Sequence, residues 1–164
     1  SDVPKRELRG VWVATVNNID FPKTPTINGV AQKEQWKKMV QRFKEMGLNA
    51  VFVQIRPAAD AFYTSTFVPW SKYLTGKQGL APTPTYDPLT YMAEVAHDNG
   101  MDFHAWINPY RATMNLDTLS LSPWHVFNKH RDWLVQYGNK FYLNPGMPEV
   151  RRHIVSVVEE ITEN

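Results

Sequence analysis

Gln54 and Arg56 are two polar side chains set two residues apart in an otherwise apolar run, so an extended backbone puts both on one face. A second run repeats the pattern with His104, Trp106 and Asn108, and continues into Pro109, Tyr110 and Arg111. Guanidinium groups at two neighbouring strand ends make either an anion or hydroxyl site, or ordinary partners for carboxylates. His104 reads first as an interior histidine and second as a base. Trp12 and Trp106 read equally as core or as ligand platform. Between Ala58 and Pro84, Asp60, Phe62, Tyr63, Phe67, Trp70 and Tyr73 crowd a connection too long for an ordinary loop. This segment is either a small core that holds the loop, or a wall of aromatic faces and hydroxyl-binding groups suited to a sugar ring. In the second reading Trp70 or Tyr63 is the platform.

Other chemistries find little in the chain. The five histidines form no HExxH motif and no tight cluster with aspartate, so no metal site is expected. No GxSxG elbow marks a serine nucleophile, and no GxGxxG or GxxxxGK[ST] loop marks a nucleotide cofactor. With no cysteine, disulfides, zinc-thiolate sites and thiol nucleophiles are excluded. Lysine and arginine number 18 against 16 aspartates and glutamates, and a net charge of +2 gives no field that argues for nucleic acid. No apolar run approaches the roughly 20 residues of a membrane span. The 164 residues suffice for about one domain, and the unusual number is the 13% of aromatic residues, several in loop-like sequence.

The elements that must position these residues alternate. Arg9 to Val16, Asn49 to Pro57 and Met101 to Asn108 read as strands, the second apolar on both faces as in a parallel sheet covered by helices. Trp36, Met39, Val40, Phe43 and Met46 form a helical stripe ended by Gly47. Asp87 and Pro88 open a second helix that runs to Gly100, and Pro148 opens a third through Val150, Ile154, Val157, Val158 and Ile161. Trp133 to Val135 and Phe141 to Leu143, split by Gly138 and Asn139, read as a small hairpin. Relative to Gly47 and Gly100, the polar phase of the third strand is shifted by one residue from that of the second. Three β-then-α units begin either a doubly wound sheet or an α/β barrel. Because each strand ends in polar groups and a long loop rather than a glycine-rich one, the expected fold is the N-terminal part of a (β/α)8 TIM-type barrel.

The strings RGVWVATVNNIDFP, VQIRPAADAFYTS, PWSKYLTGKQG, YDPL, FHAWINPYR and YLNPG, in this order and spacing, resemble the bacterial glycosyl hydrolase-like 10 family from about Arg9 onward. The resemblance implies a single barrel domain, of which residues 1–164 are the N-terminal part. It also implies hydrolysis of glycosidic bonds in a polysaccharide, with bacterial cell-wall glycan as substrate class, and no cofactor. An extracytoplasmic location follows, periplasmic, cell-surface or secreted; the absence of an initiator methionine fits a processed secreted protein and a trimmed chain equally. Carried over residue by residue, the family's cleft motifs fall on Asp20, Arg56, Asp60, Trp106, Asn108, Tyr110, Arg111 and Asn144. Glycosidic hydrolysis normally uses two flanking carboxylates. Family members continue into a fourth strand that ends in an acidic cluster, so the catalytic pair is expected beyond Asn164. Asp20 and Asp60 then serve as substrate-binding or accessory acids, and this chain alone is expected to be inactive. A barrel takes about 250 residues, and three strands leave open edges, so self-association is also expected. The alternatives are a non-catalytic carbohydrate-binding or scaffold protein of the same fold, and a module that uses its aromatic loop against another protein.

Overall fold

The computed structural model describes residues 7–163. Three parallel strands, β1 (Gly10–Val13), β2 (Ala50–Arg56) and β3 (Asp102–Ile107), form a sheet in the order β1-β2-β3. Helix α1 (Gly29–Glu45) joins the first pair and α3 (Pro88–Asp98) the second, with the short α2 (Lys72–Thr75) inside the long β2–α3 connection. After β3 come the one-turn α4 (Val126–Lys129), the hairpin β4 (Leu134–Tyr137) and β5 (Lys140–Leu143), and α5 (Pro148–Glu163). All three strand-helix units stand where the hydrophobic periods put them, and their parallel β-then-α order is the one an α/β barrel uses.

Local chemistry sets the boundaries. Asn28 caps α1 by accepting from the Ala31 amide at 3.1 Å, which starts the helix two turns before its apolar stripe. Asp87 caps α3 through Thr90 at 3.0 Å, and its other oxygen takes the Thr64 amide at 2.8 Å, tying the preceding loop to the helix start. Gly47 (φ 78°) and Gly100 (φ 73°) turn the chain from helix into strand in the left-handed region. Strand β1 is shorter than its β-branched sequence suggests. Past Val13, side chains replace the ladder: Asp20 Oδ2 takes the Ala14 amide at 2.8 Å, and Gln54 Oε1 takes those of Thr15 and Val16 at 3.1 and 3.0 Å.

Strand β2 separates two environments. On one face Val51 and Val53 pack with Val13, Trp36, Val40 and Met92 in the main core, and the Trp36 indole donates to the Met92 carbonyl at 3.1 Å, linking α1 to α3. On the other, Phe52 stacks between Trp12 and His104, both with ring centroids at 4.5 Å, while Trp106 meets Trp12 edge-on at 5.3 Å. Trp12 remains 60% exposed there. The one-residue phase slip also finds its cause. Ala50, three residues past Gly47, pairs with Asp102, two past Gly100, so the first junction is simply one residue longer and Phe52 and Gln54 register with His104 and Trp106. Between Gln54 and Arg56 the register then shifts, leaving Arg56 opposite Ile107 rather than Asn108.

Candidate functional site at the strand ends

Arg56 closes β2 and is fully buried, as is Asp60 four residues on. The intervening turn needs a positive φ at Ala59 (53°), and Asp60 Oδ1 stabilises it by accepting from the Ala58 amide at 3.0 Å. Burial pushes the Asp60 carboxyl up from its ordinary range, opposed by the Ala58 amide, His125, the Ser71 hydroxyl and Arg56. The same burial draws the Arg56 guanidinium down, while Tyr63 and Asp60 favour its charge. Tyr63 is pushed up by burial, and Tyr73, at the end of the same loop, rises to about 12 for the same reason.

His125 joins the two long connections. Its Nδ1 accepts from the Phe127 amide at 3.0 Å, so the proton sits on Nε2, which donates to the Ala112 carbonyl at 2.9 Å and the Ala58 carbonyl at 3.2 Å. Fully buried, the ring is held neutral, its pKa lowered by desolvation. Arg111 adds a second tie, donating from Nε to the Pro57 carbonyl at 2.9 Å, and the Asn108 amide donates to the Arg56 carbonyl at 3.0 Å. Helix α5 closes the cluster from another side. Glu160 accepts from the Ser65 hydroxyl at 2.5 Å and from the Thr66 amide and hydroxyl at 2.8 Å each. Val157 is buried in the main core. His153, one turn inside the same helix, is lowered to about 4 by burial first and then by Arg56.

The sequence candidates separate under this geometry. Arg56, Asp60, Tyr63, Asn108 and Arg111 gather around the end of β2. Trp106 lies on the aromatic face beside Trp12. Asp20 caps the end of β1, and Asn144 closes a turn by accepting from the Gly146 amide at 2.9 Å. Tyr110 packs half-buried in a second core cluster with Leu143 and Val150. The reading of Tyr63 as a sugar platform is corrected: its ring is 0% exposed in the main core with Phe62, Tyr73 and Leu74, so it presents no face to a ligand. The first half of the aromatic loop is therefore the small core. Trp70 differs in part: half-buried, it packs against the main core and also lines a concavity of about 320 Å³ with Phe67, Trp124 and Lys129. Asp60, 1% exposed, borders only a water-sized space of about 20 Å³ with Tyr73, Gln78, Thr113 and Asp117.

Sequence reasoning passed over His125, Trp124 and His153. His125 carried one signal, a polar residue at the first capping position before Val126 and Phe127. His153 carried only the helical spacing that sets it one residue from the apolar stripe at Ile154.

Comparison with known proteins places this geometry. The model of the family described as Glycosyl hydrolase-like 10 matches residues 7–164. Glycosyl hydrolase YngK of Bacillus subtilis (strain 168) is 49% identical over 160 residues, covering 97% of this chain and 31% of that protein. Glycosyl hydrolase DigH of Escherichia coli (strain K12) is 38% identical over 170 residues, covering 94% of this chain and 38% of the relative. The chain thus spans about a third of the length of these relatives. Among solved structures, a noncanonic maltogenic alpha-amylase, AmyB from Thermotoga neapolitana, superposes with a TM-score of 0.56 at 12% identity, over 96% of this chain and 36% of that one. At that identity the likeness concerns the fold.

Proposed function

The chain belongs to the glycosyl hydrolase-like 10 family, and from that premise we propose that it supplies the substrate-binding strand ends and loops of a glycoside hydrolase barrel acting on a polysaccharide. Bacterial cell-wall glycan is the substrate class we propose, and an extracytoplasmic location goes with it. The observation that carries the reading is the cluster at the end of β2, where Arg56 and Asp60 are fully buried beneath two long connections. A barrel enzyme builds its site at this end of the strands. A neutral, oriented His125 and the Arg111 tie hold those connections against each other. The site is therefore preorganised by the protein rather than by its ligand.

Each group has a part that its environment allows. Asp60, whose carboxyl burial pushes up, is an accessory acid that acts on the site through the Ala58 turn it holds. Trp70, at the rim, offers part of an aromatic face on which a pyranose can stack. Hydrolysis needs a pair of flanking carboxylates, and Asp20 is engaged by the Ala14 amide at the C-terminal end of β1. The reading accordingly assigns binding to this chain and turnover to the whole barrel.

The test is retention on insoluble cell-wall glycan together with release of reducing ends. This chain is expected to be retained without releasing reducing ends, and Trp70→Ala to weaken retention at a temperature where circular dichroism shows the variant still folded. Absence of retention on any glycan, or equal retention by the Trp70→Ala variant, would overturn the assignment.

A further inference from the structure

Seven buried side-chain nitrogen and oxygen atoms lack a hydrogen-bond partner among the described residues: Arg56 Nε, Nη1 and Nη2, Arg111 Nη2, Asn108 Nδ2, Tyr63 Oη and His153 Nε2. Five can only donate, and the hydroxyl and the imidazole nitrogen can also donate. None is an atom that only accepts. Buried polar groups are nearly always satisfied, and a set lacking only acceptors is a specific deficit.

The deficit has a location. Arg56 ends β2 and Tyr63 lies in the loop that follows. Asn108 is joined to Arg56 through the backbone at 3.0 Å, and Arg111 reaches the adjacent Pro57 carbonyl at 2.9 Å. His153 on α5 lies within electrostatic reach of Arg56. Asp60, the nearby buried carboxylate, is held by the Ala58 amide at 3.0 Å and supplies no acceptor to Arg56. Arg56 and Arg111 bring two positive charges to the cluster, His125 is neutral, and burial favours the neutral form of Asp60, so Arg56 is short of a negative partner.

We propose that Arg56, backed by Arg111 and Asn108, is the seat of a carboxylate. A carboxylate presents two acceptor oxygens spaced for a guanidinium fork, and its single charge costs less to bury beside a fully buried Arg56 than the two charges of a phosphate dianion. Two sources present the same group: the carboxylate of an acidic sugar, or an acidic side chain on a further strand of the barrel. The proposal rests on reading the strand ends as a glycan site and names the chemistry that site selects.

The experiment is a thermal-shift and calorimetric titration of the full chain with D-glucuronate, D-glucose and inorganic phosphate. A saturable rise in melting temperature with glucuronate, absent with glucose and phosphate, supports the sugar-acid source. Arg56→Gln should then weaken binding about tenfold or more, and Arg56→Lys, which keeps the charge but loses the fork, less. If glucuronate does not bind, the second source is tested in a family member carrying the remaining strands. Each strand-end acid there is changed to its amide alone and together with the arginine equivalent to Arg56. Non-additive stability effects for one pair support an intramolecular partner. Silence in both arms, or phosphate binding as well as glucuronate, overturns the proposal. Neither arm measures retention on glycan, so glucuronate binding by a chain that is not retained on cell-wall glycan refutes the glycan reading and leaves the seat intact.

Discussion

Replacing Arg56 by methionine should stabilise this chain when no carboxylate is present. The wild-type side chain is fully buried, and three of its nitrogens are without partners. Arginine cannot shed its proton to escape that cost. Methionine keeps the unbranched stem and removes the charge. Exchanging even a paired buried ion for apolar residues of similar volume is often neutral or stabilising by about 1–4 kcal/mol, and an arginine without partners has no pairing to lose. A gain near the middle, about 2 kcal/mol, raises the melting temperature of a chain this size by about 4–8 °C. One opposing effect runs through Asp60, which loses a positive neighbour that favours its charged form. Its folded-state pKa, already above the unfolded value, rises further. The gain should therefore be largest at acid pH and shrink as pH rises through that folded value. Urea denaturation in a buffer free of carboxylates measures the difference. A loss of about 3–5 kcal/mol in the variant would mean that Arg56 is fully paired within this chain, and the reasoning from unpartnered donors would fall.

The remaining predictions concern the loops and the open face. His125→Ala removes the cap of α4 and the donor to Ala58 and Ala112, and should cost about 3 kcal/mol by chemical denaturation; a loss below about 1 kcal/mol would show that the ring does not hold the loops. Both His125 and His153 have folded pKa values lowered from 6.5, His153 to about 4. Their contribution is complete above the unfolded value near 6.5 and lost as pH falls toward the folded ones, so the urea midpoint should drop from pH 7 to 4, less steeply in His153→Asn. Tyr63→Phe, which deletes an unpartnered buried hydroxyl, should fall within about 1 kcal/mol of the parent, whereas Tyr63→Ala should cost about 3–5 kcal/mol; equal costs would place the hydroxyl in a bond. Trp12, 60% exposed on the sheet face, should drive concentration-dependent self-association in sedimentation that Trp12→Glu abolishes, and a wild-type chain monomeric throughout would exclude that face as the contact.

The fold was legible wherever a period or a cap encoded it. Asp87-Pro88, Gly47, Gly100 and the Gly138-Asn139 turn mark their boundaries in one or two residues each, and β2 announces its burial by being apolar on both faces. What the sequence hid are the places where a side chain does the work of backbone. Gln54 serves as the hydrogen-bonding rung for Thr15 and Val16, which no pattern of hydrophobicity reports. Alternation brought Arg56 and Asn108 together in outline but missed the register shift that sets Arg56 opposite Ile107. Tyr63 and Trp70 sit in equally aromatic sequence, yet one is core and the other rim. The distinction depends on the Ala61–Trp70 bridge, a contact made only once the loop has folded back. His153 acquires its surroundings from Trp133 and from Arg56, both distant in sequence.

The ring array on the sheet face also makes the chain its own optical probe. Trp12 and Trp106 lie 5.3 Å apart at 88°, and Phe52 separates Trp12 from His104 in a stack with 4.5 Å spacings. Two indoles at that distance couple their excited states, so the near-ultraviolet circular dichroism should carry a signed couplet that disappears in either single tryptophan variant. With Trp12 open to solvent, its emission reports directly on whatever comes to lie against β1 and β2. Closure of the barrel over this face, or pairing with a second copy, should shift that emission to the blue without any added label.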